Sequence, residues 1–301
     1  MTALLPKIRH RRGQVRTMGA ASFDKLIAGF CAVIVSLAGF MFPLITPTSA
    51  HACGFNSDCK VASGTYRIFV PKKLENTSKR PAIIYIHGLS GSAERSMQHT
   101  SFIRAAKRLG FVLVGVEGLA GQWTFKNGVD RGHKRNEFKY FSQVAADLRR
   151  RFDVDPKKIV IAGFSIGASM TWYLACSHRE KFAGYIPVAG TLWRPQPKRC
   201  ANKIGEIYHY HGKSDPTFPL AGRRVHNKRQ GDSRVTFNNM YKQDPCSAKL
   251  VEELKFRGQR CKLHRNCDGE ALQFCINNSG HEVRGFYLVD GYTRIAKARG
   301  W

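Results

Sequence analysis

The apolar residues of this chain fall into short continuous runs separated by stretches of helical spacing. Residues 66–70, 82–86, 111–116, 158–162, 184–188, 207–210 and 271–275 read as strands. Several of these runs are unbroken and β-branched, as required of a strand covered on both faces. Residues 101–109, 138–152 and 166–178 carry apolar positions three and four apart and read as helices. This alternation predicts an α/β fold: one doubly wound, mostly parallel sheet in a single domain. No repeat, low-complexity tract or proline-rich linker divides the chain.

The N-terminus follows a different pattern. Basic residues (Lys7, Arg9, Arg11, Arg12, Arg16) precede an uncharged apolar run over 26–45, which ends in Thr48-Ser49-Ala50-His51-Ala52. Residues 1–50 are therefore expected to be a signal peptide, cleaved after Ala50 or Ala52, with the folded domain at 51–301. A membrane anchor is the competing reading, but Pro43 and Pro47 interrupt the run. Export places the protein in the periplasm or outside the cell.

Composition sharpens this picture. The 301 residues carry 49 Lys and Arg against 21 Asp and Glu, a charge of +28, with 43% hydrophobic residues. That apolar share excludes a disordered polycation. Removing residues 1–50 takes away six basic groups and one acidic group and leaves +23, so the basicity belongs to the folded body. It clusters at Arg223, Arg224, Lys228 and Arg229, then at Lys255, Arg257, Arg260, Lys262 and Arg265. A solvated surface is the plain reading of these runs. Contact with an anionic envelope or polysaccharide surface, or attraction of carboxylated esters, is the functional one. Nucleic acid is not an expected partner, because export and the lack of a binding motif both oppose it. A monomer is expected.

Nine cysteines are present, and eight remain beyond the signal: Cys53, Cys59, Cys176, Cys200, Cys246, Cys261, Cys267 and Cys275. An even set behind an export signal predicts up to four disulfides, with the pairing open. Zinc is the alternative, with His264 between Cys261 and Cys267, but no Cys-x-x-Cys occurs and no metal is expected.

The chemistry concentrates at Gly163-Phe164-Ser165-Ile166-Gly167, between a predicted strand and a predicted helix. A serine on that turn projects its hydroxyl above the sheet, and the flanking glycines let the chain reverse without side-chain clash. The helix N-terminus adds positive potential where an oxyanion would form. In such a sheet the acid and then the base follow in chain order. Asp215, in His211-Gly212-Lys213-Ser214-Asp215-Pro216 after the strand at 207–210, is the candidate acid. His281, in Asn278-Ser279-Gly280-His281 after the strand at 271–275, is the candidate base. His209 and His211 lie on or at the end of a strand and read as packing or hydrogen-bonding residues. The oxyanion donors are expected to be the N–H of Ile166 and that of Leu89, with Ser90 as the neighbouring possibility, in the loop His87-Gly88-Leu89-Ser90-Gly91-Ser92. Trp193 and Phe218, in loops after strands, and Trp123 are candidates for a substrate cleft. Trp172, seven residues beyond Ser165 on a helix, reads as core.

In order along the chain stand His87-Gly88-x-x-Gly91, Val154-Asp155-Pro156, Gly163-Phe164-Ser165-Ile166-Gly167 with Met170 and Cys176 behind it, Pro187-Val188-Ala189-Gly190, His211-Gly212-x-x-Asp215-Pro216 and Gly280-His281. The joint pattern, over residues 62–283, resembles the polyhydroxybutyrate depolymerase and feruloyl or acetylxylan esterase family of secreted α/β-hydrolases. The resemblance implies an α/β-hydrolase fold, a cofactor-free serine esterase, and the triad Ser165, Asp215 and His281. Two departures bear on substrate range: Glu282-Val283 follows the histidine where relatives often have Trp-Pro, and only Glu117 remains of a Pro-Glu-Gln segment. Depolymerases of crystalline polyester usually carry an added binding domain. The chain ends 20 residues past His281, so soluble or short-chain esters of the 3-hydroxybutyrate type are expected, with feruloyl or acetylxylan esters as the alternative. A catalytically silent binding protein on the same fold is the rival from another class.

Overall fold

The computed structural model describes residues 53–301 apart from 130–131, 178–181, 202–204 and 250. The expected signal peptide and its cleavage site, and His178 at the end of the predicted helix 166–178, lie outside the described residues.

In chain order the elements are β1 (Cys59–Val61), β2 (Gly64–Phe69), β3 (Arg80–Ile86), α1 (Ala93–Gln98), α2 (Thr100–Leu109), β4 (Val112–Val116), α3 (Glu137–Phe152), β5 (Val154–Phe164) and α4 (Ile166–Ser177). Next come β6 (Gly184–Val188), β7 (Ile207–Gly212), the hairpin β8 (Arg224–Val225) and β9 (Lys228–Arg229), and α5 (Ser233–Tyr241). The last are β10 (Glu252–Phe256), β11 (Gln259–Arg265), β12 (Ala271–Asn277) and α6 (Gly285–Arg299). Ten strands form one sheet in the order β1-β2-β4-β3-β5-β6-β7-β12-β11-β10. The six from β4 to β12 run parallel, and an antiparallel pair closes each edge.

The unbroken apolar runs are the central strands. Every residue of β4, β6 and β7 is buried, because helices cover both faces. On one face Phe102 of α2 and Tyr287, Leu288 and Ile295 of α6 pack with Ile83, Leu113 and Val160. On the other, Val144 and Leu148 of α3, Trp172 and Leu174 of α4, and Phe237 and Met240 of α5 pack with Ile84, Val114 and Ile161. Trp172 is core, as expected. Helix α4 is buried at every position from Gly167 to Cys176, so it shows no polar stripe and lies deep against the sheet. The eight cysteines form four disulfides: Cys53–Cys59, Cys176–Cys200, Cys246–Cys267 and Cys261–Cys275. His264 faces no thiolate; its Nδ1 meets the carbonyl oxygens of Ser247 and Lys249.

Parallel strands point the same ends in one direction. The turns after β3, β5, β6, β7 and β12 therefore gather along one rim of the sheet, where a doubly wound fold builds its site.

Candidate active site

Ser165 occupies the one-residue turn between β5 and α4 with φ of 57°, a left-handed conformation that side chains rarely adopt. The surroundings hold it there. Its N–H donates to the Val188 carbonyl at the end of β6, and its own carbonyl accepts the N–H of Ser169. A Cβ at Gly167 would lie 2.2 Å from the Ile86 carbonyl oxygen, and one at Gly190 2.1 Å from that of Ser165. Only glycine lets the first turn of α4 slide between the ends of β3 and β6.

Three side chains that are far apart in sequence meet at this turn. Ser165 Oγ lies 3.0 Å from His281 Nε2, and His281 Nδ1 lies 2.7 Å from Asp215 Oδ2. A ring that donates Nδ1–H to the carboxylate has Nε2 as the nitrogen placed to accept the serine proton. The His281 ring rests on Phe164, 4.6 Å between centroids. The other oxygen of Asp215, Oδ1, accepts the N–H groups of Thr217 (2.9 Å) and Phe218 (2.7 Å). Burial alone would raise the Asp215 carboxyl, but the hydrogen bonds from His281 and the Phe218 amide outweigh it and hold it below the usual carboxylate range.

The oxyanion side is equally built. Ile166 is the first residue of α4, so its N–H has no intrahelical acceptor. In the loop after β3, Ser90 donates its N–H to the Gly121 carbonyl. That removes Ser90 as a donor and leaves Leu89, whose N–H has no acceptor among the described residues. The loop sits against the nucleophile, since a Cβ at Gly88 would stand 3.4 Å from that of Ser165. His87 braces it. Its Nε2 accepts the Gly118 N–H, so its proton sits on Nδ1 and is donated to the Gly88 carbonyl. Burial lowers the His87 pKa to about 4 and keeps the ring neutral.

The three aromatic candidates for the cleft are placed differently from expectation. Trp123 is 4%, Trp193 2% and Phe218 0% exposed. Each supports the machinery from within: Trp123 donates to the His87 carbonyl, Trp193 to Ser169 Oγ on α4, and the Phe218 amide to Asp215. Their rings are the natural filling behind tight catalytic loops, a use that loop position alone does not reveal. A chain of buried donors was also not foreseen as such. Trp172 donates to His209 Nδ1, His209 Nε2 to His211 Nδ1, and His211 Nε2 to the Phe218 carbonyl. Both histidines are driven neutral by burial, and they tie the acid loop to the core. The alternation of His209 and His211 on one face of a buried strand was the available signal.

An imidazole between a carboxylate and a serine hydroxyl, with two backbone donors beside it, is an arrangement for acyl transfer. Comparison with known proteins agrees with it. The family model described as phospholipase/carboxylesterase matches residues 121–247, which include Ser165 and Asp215. A putative esterase, NocK, from Nocardia uniformis subsp. tsuyamanensis is 33% identical over 147 residues, 48% of this chain and 42% of that protein. Feruloyl esterase B from Piromyces equi is 24% identical over 233 residues, 71% of this chain and 42% of that protein. The chain thus spans less than half the length of either relative. The solved acetyl xylan esterase from Aspergillus awamori superposes with a TM-score of 0.54 at 14% identity, covering 79% of this chain and 98% of that one. The fold is that of the α/β-hydrolases.

Proposed function

We propose that this chain is a serine esterase that hydrolyses carboxylic esters through an acyl-enzyme. The observation that carries the reading is the relay Ser165 Oγ, His281, Asp215, at 3.0 and 2.7 Å, on a left-handed turn at a helix N-terminus. His281 Nε2 takes the Ser165 proton as Oγ attacks the ester carbonyl. Asp215 stabilises the imidazolium, and the N–H groups of Ile166 and Leu89 receive the charge on the carbonyl oxygen. Collapse expels the alcohol with the proton from His281. Water, deprotonated by the same ring, then releases the acid and restores Ser165.

Soluble or short-chain esters, first those of the 3-hydroxybutyrate type, are the proposed substrates, on the ordered motifs from His87 to His281. Feruloyl or acetylxylan esters are the second reading, favoured by the similarity to feruloyl esterase B over 71% of the chain. Four disulfides and the N-terminal pattern support a secreted or periplasmic protein. A silent binding protein would have no need of the aligned relay.

The test is hydrolysis of 3-hydroxybutyrate oligomers, methyl ferulate, acetylated xylan and p-nitrophenyl butyrate by wild type and Ser165→Ala. The variant should lose on the order of 10⁴-fold or more in kcat. Equal rates in both proteins would refute the mechanism, and a rate confined to ferulate would reverse the ranking of substrates.

A further inference from the structure

The basic hairpin β8–β9 is held between two catalytic loops. The Arg194 N–H donates to the Arg229 carbonyl, and Trp193 pairs with Gln230, on the segment that follows Gly190 at the back of Ser165. On the other side Arg223 Nε and Gln230 Nε2 both donate to the carbonyl of Thr217, whose amide binds Asp215. The hairpin is therefore part of the catalytic rim of the sheet.

Beside it lies a cavity of about 620 Å³ lined by Asn127, Arg194, Pro195, Arg224, Asn227, Lys228 and Arg229. Four of these residues are cations and none is acidic. None of the four has a carboxylate partner among the described residues. Four like charges on one wall repel one another, and a fold gains nothing from gathering them without a counter-charge. A second cavity adjoins it. This smaller one, about 180 Å³, shares Asn127 and Lys228 with it and reaches Gln122. Gln122 adjoins Gly121, whose carbonyl fixes the Ser90 amide beside the oxyanion donor Leu89. The two cavities thus share a wall at Asn127 and Lys228, on the side of the segment that braces the oxyanion loop.

We infer that this cavity binds the anionic part of the substrate, and that the substrate is an ester borne on a carboxylate-rich oligosaccharide. The guanidinium and ammonium groups match carboxylates, while the amides of Asn127 and Asn227 match sugar hydroxyls. Pro195 is the one apolar residue in this lining, so it offers a fatty or aryl chain no cluster of hydrophobic side chains. The inference rests on the esterase reading for its turnover but not for its binding.

The experiment therefore has two readouts. The first is the ratio of kcat/KM on acetylated polygalacturonate to that on acetylated xylan. In wild type at 20 mM NaCl this ratio should be about tenfold or more, and it should approach unity in 0.5 M NaCl and in Arg224→Gln/Lys228→Gln. A ratio near one in wild type at low salt, or one that the double variant leaves unchanged, overturns the proposal. The second is titration of oligogalacturonate into Ser165→Ala, with and without the two charge substitutions. Binding that the substitutions weaken by about tenfold supports the cavity even if no ester is turned over, a result that would fault the esterase reading instead. No binding to Ser165→Ala overturns the cavity. Equal affinity for inorganic polyphosphate of matched charge overturns the saccharide assignment. Thermal midpoints of the variants within a few degrees of wild type establish that the comparison is between folded proteins.

Discussion

Asp215 shows what the smallest change at this site would do. Its Oδ1 is committed to two backbone amides and its Oδ2 to His281 Nδ1, so the carboxylate fixes both its own loop and the imidazole tautomer. In Asp215→Asn the same shape remains, but an amide that keeps the backbone bonds through its oxygen turns an N–H toward His281. The ring then presents its proton to the serine and cannot accept one. The expected loss is about 10⁴-fold in kcat, with thermal stability nearly retained. Steady-state hydrolysis of p-nitrophenyl butyrate measures it, and a loss under tenfold would show that the acid lies elsewhere. That Ser165, Asp215 and His281 would meet was legible in the sequence because each stands in the segment that follows a predicted strand, where the sheet presents its site. Leu89 was expected ahead of Ser90, but Ser90 stayed open because only the Gly121 carbonyl, supplied from another loop, tells the two amides apart.

At the scale of elements the site depends on how closely α4 approaches the strand ends. A methyl group at Gly167 would meet the Ile86 and His87 carbonyls at 2.2 and 2.5 Å, and backbone on both sides leaves it no room. Gly167→Ala should therefore cost about 1–3 kcal/mol and, by shifting the helix N-terminus away from the oxyanion, lower kcat as well. Denaturant midpoints and kcat on p-nitrophenyl butyrate should fall together; wild-type values for both would remove the close approach as a determinant. Central strands were readable since burial on both faces leaves them continuously apolar. Strands β1, β8, β9, β10 and β11 escaped the same reading. They lie at sheet edges or in an isolated hairpin, and residues such as Glu252, Glu253 and Lys255 of β10 carry charge where no layer covers them. Helix α6 was missed for another reason. Its glycines break the helical signal, yet Gly285 is packed against Ser101 and Gly291 against Ile186, where a larger residue would not fit.

Across the whole molecule, stability and charge respond to acid by separate routes. His87, His209 and His211 are buried and neutral, each with its pKa lowered first of all by burial. A histidine whose folded pKa lies below its unfolded value binds fewer protons when folded. Its contribution is complete above the unfolded pKa, near 6.5, and is lost as the pH falls toward the folded one. For His87 the fall from 6.5 to about 4 corresponds to about 3 kcal/mol across that window. The charge of the folded body, +28 less the net +5 of residues 1–50 or +23, gives a second reason to unfold in acid, since neutralising the carboxylates strips away what opposes cationic repulsion. Salt separates the two. Repulsion between surface charges is screened at 0.5 M NaCl, whereas protonation of a ring inside the core is not. Urea midpoints should fall steadily from pH 6.5 to 4.5, and most of that fall should persist at 0.5 M NaCl. A loss abolished by salt would assign acid sensitivity to the surface, and a flat profile would mean that the buried rings keep a proton in the folded state.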